Sequence, residues 1–586
     1  MGIRGLTNLL RQYASRQELC GRVVIDGPAL AYHILWIARH NVSSILDEPT
    51  YSVLATTAIQ WLERLESHGL QVGAIYFDGF LPPSKKEERH RRICERSHEA
   101  QKYFLNTIPA IKANGQVRKR FVPDPAFHVP AILEGLQSQK RYRELTYLVP
   151  GEADPYCAAD VKQNGGILLT SDSDLLLYDL GPTGSVVFLK DLQLDLGAMQ
   201  EASSISAPIS RPSELCRRMS LEQDQLSMLR FGFEVKVRSG VRPYLTFKDL
   251  SNQSEWAYLE EGYAKEFEAF VKEYHGTPDF TGTALIHDSL LDPRISEFVL
   301  DWAKNDAAGE FDVKQDLTVW LPSLVDRWDR ASAWDLGTTI RQLAYSLHQH
   351  GNRQHSKVIE YRRTLSITSV GQAVELLDEP EVLRATRSLL EYVDRFIKEN
   401  AVPKRLQWIT TCLSLEVDHA AHESKESNTL GLWKKAANAE GRLDPGNWDA
   451  VHLAAQILGT CYSLRMLQQV LGIWKGGSLL GATSIGQVER LKERLSTLPT
   501  LAGFPAPAEM KNLFEHLHRE GQLDILSDAV GVPKIIFGAK VEASQRLKNT
   551  QSRKVKRREQ KPTKARASHL QAAANPFEAL STVNEN

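Results

Sequence analysis

The sequence predicts an α/β fold at the N-terminus, a twisted parallel sheet flanked by helices, followed by a largely α-helical C-terminal region and a disordered basic tail. Three observations carry this. Short apolar runs alternate with amphipathic stretches over residues 1–240, amphipathic helical patterns dominate from Glu379 to Val530, and apolar residues thin out from about Val541. At 586 residues the chain is too long for one core, and its hydrophobic fraction of 42% fits a globular protein.

The N-terminal elements justify the sheet one by one. MGIRGLTNLLRQYA reads as a short amphipathic helix preceded by Gly2 and Gly5, which permit close backbone approach. GRVVIDGPALAYHIL is an apolar strand, Val23 to Ile25, that ends in Asp26 and turns through Gly27-Pro28 into a helix. A helix from about Val53 to His68 precedes VGAIYFDG, whose strand Ala74 to Phe77 ends in Asp78. Leu145 to Val149 is a third strand, Ala153 to Gln163 a helix, and Ile167 to Thr170 a buried strand before an Asp-rich turn, together a βαβ unit.

Each of these strands ends in acid: Asp26, Asp78, Glu152 with Asp154, and Asp172 with Asp174. A lone Asp before Gly is ordinarily a turn residue. Four acidic strand ends in one βα-alternating segment fall on one edge of a parallel sheet, where α/β folds bind ligands. Carboxylates brought that close raise each other's pKa unless a cation neutralises them, and a hard divalent metal with oxygen ligands is the natural partner. After Asp78 comes PPSKKEERHRRICERSHEAQKYF, a charged helical stretch carrying Lys85, Lys86, Arg89, Arg91 and Arg92. Such a run is often just a solvated face, but beside an acidic cluster its cations can clamp a phosphate.

Together, MGIRGL, VVIDG, FDG with its Lys/Arg-rich helix, PGEADPYCA and TSDSDLL resemble the flap-endonuclease/XPG-type, PIN-like nuclease superfamily, and within it the Asteroid branch. The resemblance covers roughly the first 235 residues, with Asp26 and Asp78 separated as the family separates its first two metal-site aspartates. It implies a PIN-like nuclease domain over 1–240 with a helical arch at about 84–128. It also implies that Asp26, Asp78, Glu152, Asp154, Asp172 and Asp174 hold two magnesium or manganese ions, Asp154 standing where the family usually has Glu. Lys85 and Arg92 fall at the arch's phosphate-contacting positions. Lys86 competes with Lys85, and Gly2 and Arg89 join as nucleic-acid contacts. A seventh family acid, in a G-x-D-Y context, has its best match in Glu234 of LRFGFEV. The Gly-rich hairpin that follows it in the family, a duplex grip, has no counterpart in KVRSGVRPYLTFKD.

The expected activity is therefore a structure-selective, metal-dependent nuclease acting on DNA or RNA, in DNA repair, with single-stranded or overhanging DNA ends as substrate. The rival is a nuclease-like scaffold that binds nucleic acid or protein; a small-molecule phosphohydrolase would leave the basic stretch unexplained. Residues 241–378 read as a mixed connecting region, with a helix at Thr338 to Gln349 and a strand in KVIEYRRT, 379–535 as a helical domain, and 541–586 as the basic tail. Within the tail, Ser552 to Arg566 suits a nuclear address or a phosphate-binding arm, with a cytoplasmic location as the alternative, and Phe577 and Leu580 suit a docking peptide for a protein partner. The net charge of -1 neither supports nor excludes a nucleic-acid partner. Six scattered cysteines without CxxC spacing read as reduced thiols of an intracellular protein, and no apolar run suggests a membrane span.

Overall fold

The computed structural model describes residues 3–531, apart from positions 41 and 43 and segments 81–84, 108–121, 197–203, 222–224, 240–260, 276–277, 279–290, 300–316, 350–354, 364–370, 398–402, 439–441, 443–446 and 475–481. Gly2, the segment around Phe577 and the basic tail lie outside the described residues.

The N-terminal part runs α1 (Leu6–Arg11), β1 (Ser15–Glu18), β2 (Gly21–Asp26), α2 (Gly27–Ala38), α3 (Tyr51–Ser67), β3 (Leu70–Asp78), α4 (Lys86–Thr107), α5 (His128–Ser138), α6 (Lys140–Arg143) and β4 (Thr146–Val149). It continues through α7 (Ala153–Asn164), β5 (Ile167–Thr170), β6 (Ser185–Phe188), β7 (Ser206–Ile209), α8 (Pro212–Arg218), α9 (Gln225–Ser239) and α10 (Glu261–Tyr274). Five strands form one sheet in the order β4-β3-β2-β5-β6, and every neighbouring pair is parallel. β1 and β7 pair antiparallel beside it.

Parallel strands covered on both faces need continuous apolar runs, and these have them. Ile25, Ile75 and Phe77 point to one side and pack with Leu30 of α2, Trp61 of α3 and Leu136 of α5. Val24, Ala74, Leu168 and Val186 point to the other and pack with Leu6 of α1, Val161 of α7 and Leu229 of α9. The period-two alternation thus sorts each strand between two helical layers.

Further along come β8 (Leu317–Trp320), α11 (Thr338–His348), β9 (Lys357–Tyr361), β10 (Gln372–Glu375), α12 (Glu379–Phe396), α13 (Lys404–His422), α14 (Asn428–Ala437), α15 (Trp448–Ile473), α16 (Ala482–Leu495), α17 (Leu513–Arg519) and α18 (Gln522–Val530). The strand expected in KVIEYRRT is β9, the middle of a three-stranded sheet, parallel to β8 and antiparallel to β10. A fully buried ion cluster sits beneath it: Glu360 of β9 accepts from Arg341 of α11 at 2.6 and 2.9 Å, from Tyr345 at 2.9 Å and from Arg362 at 3.0 Å.

One helix departs from its sequence pattern. The α15 segment reads as amphipathic, yet Ala450 through Leu471 is buried on nearly every side, including Thr460, Ser463 and Arg465. It lies at the centre of the helical region, and its hydroxyls are satisfied within the helix, Thr460 by Gln456 O and Ser463 by Gly459 O, both at 2.7 Å. Its apolar side chains continue the same cluster as the α2–α3–α5 layer, with Tyr462 stacked on Phe127 at 4.1 Å, while Trp448 at its start packs on a separate small cluster with Tyr103 and lies edge-on to Phe104 at 4.7 Å. All six cysteines are free thiols, and among the described residues no helix is long and apolar enough to cross a membrane.

Candidate functional site

Strand order decides which acids meet. β4, β3, β2 and β5 are consecutive in the sheet, so Asp26, Asp78, Glu152, Asp154, Asp172 and Asp174 all follow the carboxyl ends of adjacent parallel strands. Asp26 ends β2, Asp78 ends β3, Glu152 caps α7 after β4 with Asp154 in that helix's first turn, and Asp172 caps the 3-10 turn Ser173–Leu177 after β5. Two glycines let the strand ends close up. A Cβ on Gly27 would lie 2.6 Å from the Phe77 ring and from Tyr76 O, and one on Gly79 would lie 2.0 Å from Val149 O.

Backbone and hydroxyl donors orient the carboxylates. Asp26 accepts from Ala29 N–H at 3.1 Å, as the cap of α2, and from the Thr170 hydroxyl at 2.7 Å. Asp78 accepts from Ala153 N–H at 2.8 Å, tying the β3 end to the start of α7. Thr170 also accepts from Asp172 N–H at 2.9 Å, and Asp172 from Asp174 N–H at 2.9 Å. Asp174 receives Ile3 N–H at 2.6 Å and the Tyr274 hydroxyl at 3.3 Å. The N-terminal segment thus reaches the site through the backbone of Ile3.

The electrostatics are those of a site with too much negative charge. Burial, reinforced by Asp78 and Asp172, pushes Asp26 up to about 7 against the pull of its two hydrogen bonds. Burial and then Asp172 push Asp174 up to about 7, and burial with Asp26, Asp172, Asp78 and Glu152 holds Asp154 well above the ordinary carboxylate range. Asp78 and Glu152 are raised as well, chiefly by desolvation of carboxyl groups hemmed in by protein atoms, although Asp78 keeps an exposed side, with the Ala153 hydrogen bond and then Arg294 opposing at Asp78 and Lys85 opposing at Glu152.

Among the cations, Lys85 stands 3.7 Å from Glu152 and 2.6 Å from Glu273. Burial draws its ammonium down, but Glu152, Glu273 and Asp154 outweigh that and hold it above the usual lysine value. Lys86 instead acts on Glu297. Arg89 pairs with Glu297 at 3.1 Å and Arg92 with Glu88 at 2.7 Å. Glu234 is buried in α9, its carboxylate engaged by Arg238 at 2.8 Å and by the Tyr263 hydroxyl. Glu273 and Tyr274, the last turn of α10, reach the cluster although no motif marks them; acid beside aromatic at the end of EGYAKEFEAFVKEY is too common a pattern to have singled them out.

The donor chemistry fits a divalent cation. An all-oxygen set of crowded, mutually repelling carboxylates, Asp26 buried, Asp78 exposed and the other four half-buried, carries the excess charge that a hard ion neutralises. As they stand, no group of three or more acidic, His or Cys side chains among the described residues is arranged to hold a metal ion.

Comparison with known proteins agrees with this geometry. Residues 124–376 match a family model described as XPG domain containing. Over 330 residues the chain is 24% identical to Asteroid homolog 1 of Schizosaccharomyces pombe, covering 55% of this chain and 55% of that protein. The chain thus matches about half the length of that relative. A five-stranded parallel sheet, acids along its carboxyl edge and an XPG-type match make the chain similar to XPG/PIN-like, nuclease-type proteins. Within that class the chain is most readily compared with the Asteroid branch, to whose fission-yeast member it is similar over about half its length. Proteins of this class generally use divalent metals and bind nucleic acid.

Proposed function

We propose that the protein is a structure-selective, metal-dependent nuclease that hydrolyses phosphodiester bonds. The observation that supports this best is the acidic edge itself: six carboxylates at four adjacent strand ends, with Asp26, Asp78, Glu152, Asp154 and Asp174 raised in pKa and a lysine at their rim. Magnesium or manganese, held among Asp26, Asp78, Glu152, Asp154, Asp172 and Asp174, would supply a nucleophilic water at neutral pH and neutralise charge gathering on the phosphate.

The chain's own groups do the rest. Thr170 and the backbone N–H groups of Ala29, Ala153 and Asp174 lock the carboxylates in orientation, so little reorganisation is needed when substrate arrives. Lys85, directly before α4, presents an ammonium to a non-bridging phosphate oxygen, with Arg92 further along in α4. Water attacks phosphorus, the P–O ester bond breaks, and the departing oxygen takes a proton. Single-stranded or overhanging ends are the favoured substrates, because the chain lacks the Gly-rich duplex grip, and DNA repair in the nucleus is the favoured setting, with the basic tail as phosphate-binding arm or nuclear address.

A second reading, a nuclease-like scaffold that binds without cutting, draws on the acids not forming a ready-made metal cage among the described residues. One assay separates the two. The purified full chain, with magnesium or manganese, is offered labelled single-stranded, overhang, flap and duplex DNA and RNA, beside Asp26→Ala and Asp172→Ala. Cleavage by the wild type that both variants lose supports the nuclease. Binding without cleavage supports the scaffold, and cleavage that persists in both variants refutes this ligand set.

A further inference from the structure

The last turn of α10 touches the acidic edge at two separate places. Glu273 Oε1 lies 2.6 Å from Lys85 Nζ, and the Tyr274 hydroxyl donates to Asp174 Oδ2 at 3.3 Å. The turn is firmly seated, since Phe270 and Tyr274 are buried, Tyr274 packs edge-on to Tyr178 at 5.1 Å, and Phe270 packs on Phe233 at 5.2 Å. Glu273, itself exposed, is therefore carried on a fixed support.

Lys85 needs such a partner. It directly precedes α4, and its flexible four-carbon stem has no preferred direction by itself. The other cations named in this stretch are drawn off: Lys86 and Arg89 to Glu297, Arg91 to Glu88 and Glu95, Arg92 to Glu88. An ammonium has three donors, and Glu273 takes one at hydrogen-bond distance while Glu152, at 3.7 Å, attracts without bonding. The remaining donors are left for an anionic oxygen arriving at the acids. Lys236 also faces Glu273 but stands farther off, at 3.9 Å.

We propose that Glu273 is a positioning residue for Lys85: from α10 it holds the Lys85 ammonium at the rim of the acidic edge, beside Glu152, where it meets the phosphate of a bound nucleic acid. This rests on the nuclease reading for its chemistry, but the placement of Lys85 can be measured by binding alone.

The experiment is a double-mutant cycle on the full chain with Lys85→Ala, Glu273→Gln, the pair combined, and Glu273→Asp. A fluorescein-labelled single-stranded oligothymidylate is titrated with calcium replacing magnesium, and cleavage is then followed with magnesium or manganese. Lys85→Ala weakens binding about tenfold, the scale of one charge-assisted hydrogen bond. Glu273→Gln weakens it several-fold when Lys85 is present and by less than about twofold when Lys85 is already Ala, the signature of coupled residues. Glu273→Asp recovers part of the loss.

Four results would overturn the proposal: unchanged or tighter binding by Glu273→Gln, an equal loss in the Lys85→Ala background, no recovery with Glu273→Asp, or no binding by the wild type. A merely structural role for Glu273 gives the equal loss. If the coupling appears but nothing is cleaved, the nuclease reading fails and the positioning role stands; if cleavage occurs without coupling, the reverse holds.

Discussion

Arg465→Met tests how the central helix α15 is tied to the sheet that carries the acids. Arg465 is buried, its guanidinium 2.7 Å from Glu134 of α5 and 3.4 Å from Asp292, whose side chain is fully buried. Asp292 also accepts from the Tyr462 hydroxyl at 2.7 Å and from Arg294 N–H at 2.9 Å, and Glu134 from Leu501 N–H at 2.6 Å. Removing one partner of a buried pair costs roughly 3–5 kcal/mol, because the other charge stays behind. Two hydrogen bonds remain at Asp292, and Glu134 is 23% exposed and can hydrate, so the lower end, about 3 kcal/mol, applies. Adding Asp292→Asn removes the stranded charge and should bring the loss back to about 1 kcal/mol. Burial already raises Asp292 above its ordinary value, and losing Arg465, which pulls it down, raises it further. A raised carboxyl contributes stability that is present below its unfolded pKa and lost as pH rises through the folded one, so the deficit of Arg465→Met should be larger at pH 8 than at pH 5. Urea unfolding followed by tryptophan fluorescence reads all three. A loss under about 1 kcal/mol, no relief from Asp292→Asn, or a deficit that grows on acidification would refute the reasoning. The consequence reaches the site, because the turn capped by Asp292 carries Ser296, whose hydroxyl donates to Gly79 O at 2.6 Å, next to Asp78.

Other expectations follow from the same geometry. Magnesium at about a hundred times its dissociation constant should stabilise the fold by about 2.7 kcal/mol over chelator, and Asp154→Asn should shrink that shift; equal melting with and without the ion would count against the metal site. Gly79→Ala should destabilise by about 1–3 kcal/mol and depress any cleavage, since its Cβ would sit 2.0 Å from Val149 O; wild-type unfolding and turnover would contradict the close approach. Burial pulls His33 and His128 down to about 4 and His452 to about 3, so each contributes stability that is present above the unfolded value of 6.5 and lost as pH falls through the folded one. His128→Asn, which can keep the 2.7 Å hydrogen bond to Pro125 O, should therefore lose less stability than the wild type between pH 6.5 and 4, measured by urea midpoints at each pH.

The sequence by itself determined the sheet and its acidic edge. Short apolar runs that end in Asp26, Asp78 and the Asp172–Asp174 turn, alternating with helical stretches, read as buried strands of a parallel sheet, and the structure makes them so. Local patterning also marked α7, α11 and the strand that became β9. Tertiary structure alone decided the strand order β4-β3-β2-β5-β6, and with it which acids become neighbours, because the pairing partners of a parallel strand lie far away in sequence. It alone showed α15 buried on nearly every side, which no amphipathic pattern announces. It alone committed Glu234 to Arg238 and Tyr263, sent Arg89 to Glu297, and brought Glu273 and Tyr274 to the acids. A side chain's charge is written in the chain, but what it faces depends on segments packed against it from a hundred residues or more away, as Asp174 and Tyr274 are.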